Sequence, residues 1–522
     1  MTDTKKNLIQ SALKFFSGTM LSRITGLLRD ISMAYAFGAD SFVAALLVAF
    51  RLANLLRRLL GEGAMQNAFI PHFETLKKEN PFRAGEFFCR LTGSLSLALV
   101  VLILAVMGAL SAMLSLNFFN QGNAQIAWLT LLMMPSLLFI CLFGINASFL
   151  QCNKSYFTPG VAPALFNLVW ILGVICTKHF GSEAAMTYLA VFIVIGFIVQ
   201  WAATLPKVFS QLAEWGVRKR MIFQLSDDVK MLIKPLGLGI IGVAASQINN
   251  ALDALFARFA DPSGPALLWY AIRLQQLPLA LFGITLSGVL LPPLSRAIKT
   301  NDEAQYLYFL NFAFSKTLLL MIPMTLLLFV LGDKCVALIF GHGDFSDASI
   351  AGTTLSLWGY AAGLLPMALI LVLAPAYYAK GDYHTPTKAA TSAMIINILL
   401  NTIFAVYLGL GAFSIALATS ISAWLNFFWL IACFKPLPIL SWSKQAGLLV
   451  LFSIAASISV IAIDQFLWND LHLFAIINGE VPNYSVSWLK LFIHLCADSL
   501  VFIAIISTYV KFSLEQKQNE FA

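Results

Sequence analysis

Charge is scarce in this chain. Only 11% of its 522 residues are Asp, Glu, Lys or Arg, against the ~25% usual in soluble domains, so water is not its main solvent. No Cys-x-x-Cys occurs. The seven cysteines, at 89, 141, 152, 176, 335, 433 and 496, follow no regular spacing, which leaves neither a disulfide framework nor a zinc site. Clustered carboxylates are missing too. The adjacent acids Asp227 and Asp228 lie in a loop without a further acid or His close by, so metal-assisted or general-base catalysis at the membrane surface has nothing to work with. No small-residue cleavage site follows the polar segment Met1 to Gln10, and insertion through uncleaved signal-anchor helices is the expectation. Alternating apolar and polar strands of the kind that build membrane barrels are absent as well.

What is present is apolar and long. Hydrophobic residues make up 59% of the chain, and the mean hydropathy is +0.83. Taking about 20 residues per crossing, the pattern predicts an all-α integral membrane protein of about 14 transmembrane helices. They lie near 8–38, 41–72, 85–116, 124–152, 158–178, 184–205, 228–257, 264–294, 303–331, 350–379, 386–409, 411–433, 443–465 and 487–511. The loops fit this count. Roughly 20 Lys and Arg, among them Lys77, Lys78, Lys154, Arg218, Lys219, Arg220, Arg296, Lys299, Lys380 and Lys511, fall on one side, and roughly four, Lys178, Arg258, Lys334 and Lys490, on the other. Both termini are therefore expected in the cytoplasm. The net charge of +8 reflects those loops and does not point to nucleic acid.

Two patches recur at nearly one offset. Ser41, Ala44, Leu46, Ala49, Arg51, Leu52, Leu55, Gly61 and Pro71 reappear as Ser263, Ala266, Leu268, Ala271, Arg273, Leu274, Leu277, Gly283 and Pro293. Tyr156-Phe157-Thr158-Pro159 reappears as Tyr383-His384-Thr385-Pro386. Both offsets bracket six spans, so the copies share one orientation. Parallel repeats imply two six-helix lobes around a central cavity. The expected division is an N-terminal lobe, 1–225, a C-terminal lobe, 226–440, and two extra C-terminal spans in 441–522.

Ionisable residues inside spans are costly and mark function or a partner. The first two spans hold Arg23, Arg29, Asp30, Arg51, Arg57, Arg58 and Glu62, and the second lobe offers Arg273. Arg23 and Asp30, seven apart, share a helix face; Arg51, Asn54, Arg58 and Glu62, at 3-4-4 spacing, form one stripe. Asp30 can partly neutralise Arg29, and Glu62 can pair with Arg58 at i,i+4. Two acids cannot balance the whole set. The guanidinium fork suits phosphate, which makes a pyrophosphate-bearing substrate a natural candidate. Gly18 and Gly26 in the first span allow close helix approach or bending. Asp253, Asn397, Asn401 and Thr419 offer oxygen ligands for a cation, with interhelical hydrogen bonding as the commoner role of such residues. Asp498 and His494, four apart, are either a proton relay or a local hydrogen bond. No catalytic residue, metal site or cofactor is expected.

These residues carry a resemblance. Ser22-Arg23-x-x-Gly26-x-x-Arg29-Asp30, Phe37-Gly38-Ala39, Asn54-Leu55-Leu56-Arg57-Arg58 and Glu62-Gly63-Ala64-x-x-x-Ala68-Phe69-Ile70-Pro71 resemble the MurJ (MviN-type) lipid II flippase family. Ser246-Gln247-Ile248-Asn249, Ala271-x-Arg273-Leu274 with Leu291-Pro292, and Gly381-Asp382-x-x-Thr385-Pro386 fit the same pattern. The last motif is shared across the multidrug/oligosaccharidyl-lipid/polysaccharide exporter superfamily. The resemblance implies a flippase in the bacterial cytoplasmic (inner) membrane that moves lipid II to the outer leaflet by alternating access. In it Arg23, Arg29, Asp30, Arg57 and Arg273 serve the substrate and the last two helices form a groove for the lipid tail. Another polyprenyl-pyrophosphate-linked glycan stays open as substrate, and an arginine-rich cavity argues against a cationic-drug exporter. Membrane lipids and the cell-wall synthesis machinery are the expected surroundings. Ion or membrane-potential coupling is left open. An acid common early in the family's second span is replaced here by Ala44, with Asp40 four residues earlier, and Asn401 stands where sodium-binding relatives carry an acid.

Overall fold

The computed structural model describes residues 5–55, 64–217, 229, 231, 247–280, 285–434, 439–468, 472–484 and 487–521. It divides into two compact units, Met1–Leu255 and Phe256–Ala522.

The first unit contains α1 (Lys5–Phe37), α2 (Ser41–Ala53), α3 (Ala64–Glu79), α4 (Pro81–Ser115), α5 (Gln121–Met133), α6 (Ser136–Cys152), α7 (Phe157–Thr177), α8 (Ser182–Ala202) and α9 (Leu205–Glu214). After a helical stretch over 247–260, the second unit contains α10 (Gly264–Pro278), α11 (Thr285–Lys299), α12 (Glu303–Phe340), α13 (Asp347–Ala361) and α14 (Leu364–Ala379). It continues with α15 (His384–Asn401), α16 (Phe413–Cys433), α17 (Ile439–Ile463), α18 (His472–Ile477) and α19 (Trp488–Phe521). Local chemistry sets the helix starts. Asp40 accepts from the Val43 N–H at 2.8 Å, Asn80 from Phe82 with Pro81 at the first helical position, and Asp302 from Gln305. Each supplies an acceptor for a helix N–H that has no partner in its own helix. The Asp40 carboxylate, the nearest acid to buried Ala44, is thus occupied as the cap of α2.

Among the described residues nine helices are long and apolar enough to cross a membrane, or ten if the bent pair α5–α6 is one span. The expectation was about 14, and the shortfall has a pattern. It falls on the first, second, seventh and eighth expected spans, the first two of each lobe. α1 is long but carries Arg23, Arg29 and Asp30. The second expected span is interrupted where α2 closes at Ala53, and within the second and eighth spans residues 56–63 and 281–284 lie outside the described residues. The seventh expected span lies largely outside the described residues.

The repeat extends to packing. α2 contacts α5 as α10 contacts α13; α3 contacts α4 and α6 as α11 contacts α12 and α14; α7 lies on α8 as α15 lies on α16. The second sequence patch is duplicated down to its backbone. Ser155 N–H donates to Leu150 O and Asp382 N–H to Tyr377 O, with Lys154 at φ +57° and Gly381 at φ +77°. α17 and α19 have no counterpart in the first unit and pack on α12 and on each other. Lys334, expected in an outer loop, lies instead inside α12 and is 1% exposed. Its charge is met by Asp464 and Asp498, which is why a lysine is tolerated there.

Candidate functional site

α1 is one continuous helix whose inner face, through Gly18, Thr25, Arg29 and Met33, runs against α7. The approach is close because neither side carries bulk. A Cβ at Gly18 would stand 3.0 Å from the Gly160 carbonyl carbon, so of the two roles expected for this glycine, close approach is the one seen. Small residues at a crossing let backbones meet where lipid offers no hydrophobic drive.

Arg29 projects into this seam and is 6% exposed; Asp30 is 2% exposed. Its Nε and Nη2 donate to Asp30 Oδ1 at 3.0 and 2.7 Å, and its Nη1 donates to Asn167 Oδ1 at 3.1 Å. The guanidinium carbon lies 4.7 Å from the Trp170 ring centroid. Two edges and one face of the cation are thus taken up by a carboxylate, an amide and an indole. Asn167 also donates to Ser22 O and Thr25 Oγ1, each at 3.1 Å, and so ties the arginine to the crossing itself. Sequence reasoning missed Asn167. The signal was available: an amide in the middle of the apolar α7 needs an interhelical partner.

The other predicted residues are placed as follows. Arg23 is exposed. It shares an azimuth with Asp30 but sits about 10 Å further back along the axis, where α1 is less covered. Arg51 is half-buried in the last turn of α2. The expected stripe from Arg51 to Glu62 presumed one unbroken helix. Instead α2 closes at Ala53, and Asn54 caps it with its side-chain N–H on Phe50 O at 2.8 Å. Arg57, Arg58 and Glu62 lie outside the described residues. Arg273 is half-buried on α10, with its guanidinium carbon 4.6 Å from the Trp269 ring one turn back. Asp253 is buried and accepts from Asn249 at 3.4 Å. Asn401 donates to Asn397 at 3.1 Å, and Asn397 donates across to Thr419 of α16 at 3.4 Å, hydrogen bonds that join α15 to α16. Asp498 accepts from Lys334 at 2.6 Å, and the His494 ring stacks on Trp468 at 3.9 Å.

Comparison with known proteins places this arrangement. The description "Lipid II flippase MurJ" matches residues 33–477. A probable lipid II flippase MurJ of Chlamydia muridarum is 33% identical over 475 residues, 89% of this chain and 86% of the relative. The lipid II flippase MurJ of Burkholderia cenocepacia is 30% identical over 413 residues, 77% of this chain and 79% of the relative. Among solved structures, a lipid II flippase MurJ in an inward closed conformation superposes with a TM-score of 0.76 at 24% identity, covering 96% of this chain and 99% of the other. An inward-facing multidrug resistance MATE transporter of the MOP superfamily follows at 0.61 and 13% identity, covering 84% and 98%. These two likenesses concern the fold.

Proposed function

We infer, because the chain belongs to the MurJ family of lipid II flippases, that its arginines grip the pyrophosphate of lipid II while the lipid crosses the membrane. The protein is a multi-pass membrane transporter of a bacterial family and not an enzyme. The finer reading is that it carries undecaprenyl-pyrophosphate-linked precursor from the cytoplasmic to the outer leaflet by alternating access, with both termini in the cytoplasm. Arg29, Arg57 and Arg273 hold the pyrophosphate, and Arg23 and Asp30 shape the approach to it.

The observation that supports this most is the Arg29 site. A guanidinium buried between two membrane helices meets, among the described residues, a carboxylate on its own helix, a neutral amide and an indole face. A phosphate oxygen has the same acceptor geometry as the Asp30 carboxylate, so substrate can take over donors that Asp30 holds at rest. Asp30 is then a placeholder anion whose displacement makes substrate entry and rearrangement of α1 against α7 one event. The membrane potential drives the return of the charged site, since one charge moving through 100 mV is worth about 2.3 kcal/mol. No cofactor takes part, and the cell-wall synthesis machinery receives the product.

The test is rescue of a bacterium depleted of its own lipid II flippase, with wild type, Arg29→Ala and Arg57→Ala at matched membrane levels. Rescue by wild type and by neither variant is expected. Full rescue by both variants overturns the arginine grip. Failure of well-expressed wild type turns the assignment toward another polyprenyl-pyrophosphate-linked glycan. Flipping that is unchanged by an uncoupler removes the potential-driven return.

A further inference from the structure

The heaviest charge burial among the described residues lies away from the arginines, in the part of the second unit that the first unit lacks. Lys334 of α12 is 1% exposed, Asp464 is 8% exposed and Asp498 is 0% exposed. The Lys334 ammonium donates to Asp464 at the end of α17 and to Asp498 in α19, the latter at 2.6 Å. Leu473 and Phe474 of the short helix α18 line the same cavity with Val330, Ile461 and a further buried carboxylate, Asp333, which is 2% exposed. One cation therefore joins α12 to both C-terminal helices.

The contacts along the α12–α17 seam share a constant register. Trp442 donates to Asn311, Gln445 donates to Ser315 O at 3.3 Å, and Lys334 reaches Asp464. In each pair the partner on the α17 side lies 130 or 131 positions after its partner on α12, so the two helices run parallel in step over most of their length. Between the polar ends the seam is largely apolar: Val330 and Leu331 cluster with Ala456 and Val460, and the buried Ser457 of α17 bonds back to its own helix at Ser453 O. Such an apolar seam fixes neither partner nor register in a bilayer, because lipid tails are as apolar as the side chains. A slip of one turn, about 5.4 Å, would bring Val460 or Trp468 opposite Lys334 and leave a buried cation without Asp464. Buried ion clusters contribute little net stability over apolar packing, but they penalise every arrangement that separates them.

We propose that Lys334, Asp464 and Asp498 are positioning residues: a register pin that fixes α17 and α19 to α12, so that the C-terminal pair moves with the second unit as one body during transport. The proposal rests on the transport reading above only for its effect on flipping; the pin itself rests on the helix contacts.

The experiment uses the full chain in proteoliposomes, with native cysteines replaced by alanine and spin labels on exposed Leu320 of α12 and Ile458 of α17. Wild type is expected to give one narrow distance, unchanged when lipid II is added. Lys334→Met, which strands two buried carboxylates, is expected to broaden that distance and lower flipping by roughly tenfold or more. The triple variant Lys334→Met/Asp464→Asn/Asp498→Asn removes both of these carboxylates together with the cation that joins them. It is expected to restore the narrow distance and at least half of wild-type flipping, and to do so even where Lys334→Met fails to accumulate. A narrow distance with full flipping in Lys334→Met overturns the pin, as does a distance that shifts on adding lipid II to wild type. A triple variant that keeps the narrow distance but flips no better than Lys334→Met also overturns it, since the charges would then serve a purpose other than position. Wild type that flips no lipid II refutes the transport reading, while the three distance readings still decide the pin.

Discussion

In the first unit the buried cation is an arginine, met by a carboxylate one residue away and by Asn167 and Trp170 of α7. In the second it is a lysine, met by two carboxylates from helices outside the repeat. The units share their helix pairings, so the difference is not one of scaffold. Arginine presents five donors in a flat fork and can pass an edge from one anion to another without losing the rest, whereas the lysine ammonium is a compact point charge. Among the described residues Arg29 meets the single carboxylate of its own helix, in a fork that can release one edge, whereas Lys334 is clamped between carboxylates of two other helices. Matching helix pairings thus carry different buried charges in the two units.

The sharpest way to break this comparison is to remove charge from each site singly and in balance. Arg29→Met leaves Asp30 buried without its cation, an expected cost of roughly 3–5 kcal/mol, and should lower both accumulation and flipping. The double variant Arg29→Met/Asp30→Asn removes that cost and should accumulate normally, yet still fail to flip, because the donors for phosphate are gone. This is the opposite of the Lys334 triple variant, which should regain flipping. If the Arg29/Asp30 double variant also regains flipping in the depletion strain, Arg29 is structural and the two sites are alike. Arg273→Ala removes a half-buried cation stacked on Trp269, so stability should change by only about 1 kcal/mol while flipping falls. A large loss of thermal stability in this variant would place Arg273 with Lys334 instead.

The membrane class and the helical fold were legible in the sequence, because apolar length is a local signal, and the recurring patches lie where the two units share helix pairings. Gly381 and Lys154, 227 residues apart, adopt the same left-handed turn beside the recurring Tyr-x-Thr-Pro patches. The sequence also marked Arg29, Asp30 and Arg273 as charges needing an explanation. That Asn167 needs an interhelical partner was legible, but which distant segments meet was not. Nothing near Arg29 in sequence announces Asn167, 138 positions later, and nothing near Lys334 announces Asp464 or Asp498. A rule that reads cations as loop residues therefore sent Lys334 to the outer side. The break of the second span at Ala53 was hidden for another reason: the apolar run continues past the point where the helix stops.

A smaller effect concerns how the helices close on one another. In the second unit Gly359 and Gly363 face Ala416 and Ser420, and Ser420 donates to Gly359 O at 2.5 Å. A Cβ at Gly363 would stand 2.8 Å from the Ser420 Cα, backbone that cannot swing aside. The corresponding break in the first unit, between α5 and α6, carries Pro135 and bends by 46°. Gly363→Ala should therefore cost about 1–3 kcal/mol by overpacking, read as a lowered melting temperature in detergent. Pro135→Ala, which forces no such contact, should cost less. An equal loss in both would mean that the two breaks do the same job.

The least of these differences lies in the duplicated turn, and it sharpens the comparison by titration. Asp382 accepts from the Thr385 N–H at 3.0 Å. Hydrogen bonds from the Thr385 side chain, then from its backbone, hold the carboxyl below the usual aspartate range. The equivalent position before α7 is Ser155, and no side chain caps that helix start. A lowered folded-state pKa stabilises the protein above the ordinary aspartate value, about 3.9, and the stabilisation disappears as pH falls through the lowered value. The gap in melting temperature between wild type and Asp382→Ala should thus be small and constant around neutral pH. It should close only below the ordinary aspartate range, where protonation removes from wild type what the substitution has already removed. Ser155→Asp should open a gap of the same form in the first unit. Because the two turns share their backbone hydrogen bonds and left-handed residue, failure of Ser155→Asp to stabilise would show that the repeat preserves the path of the chain at this turn without preserving its capping chemistry.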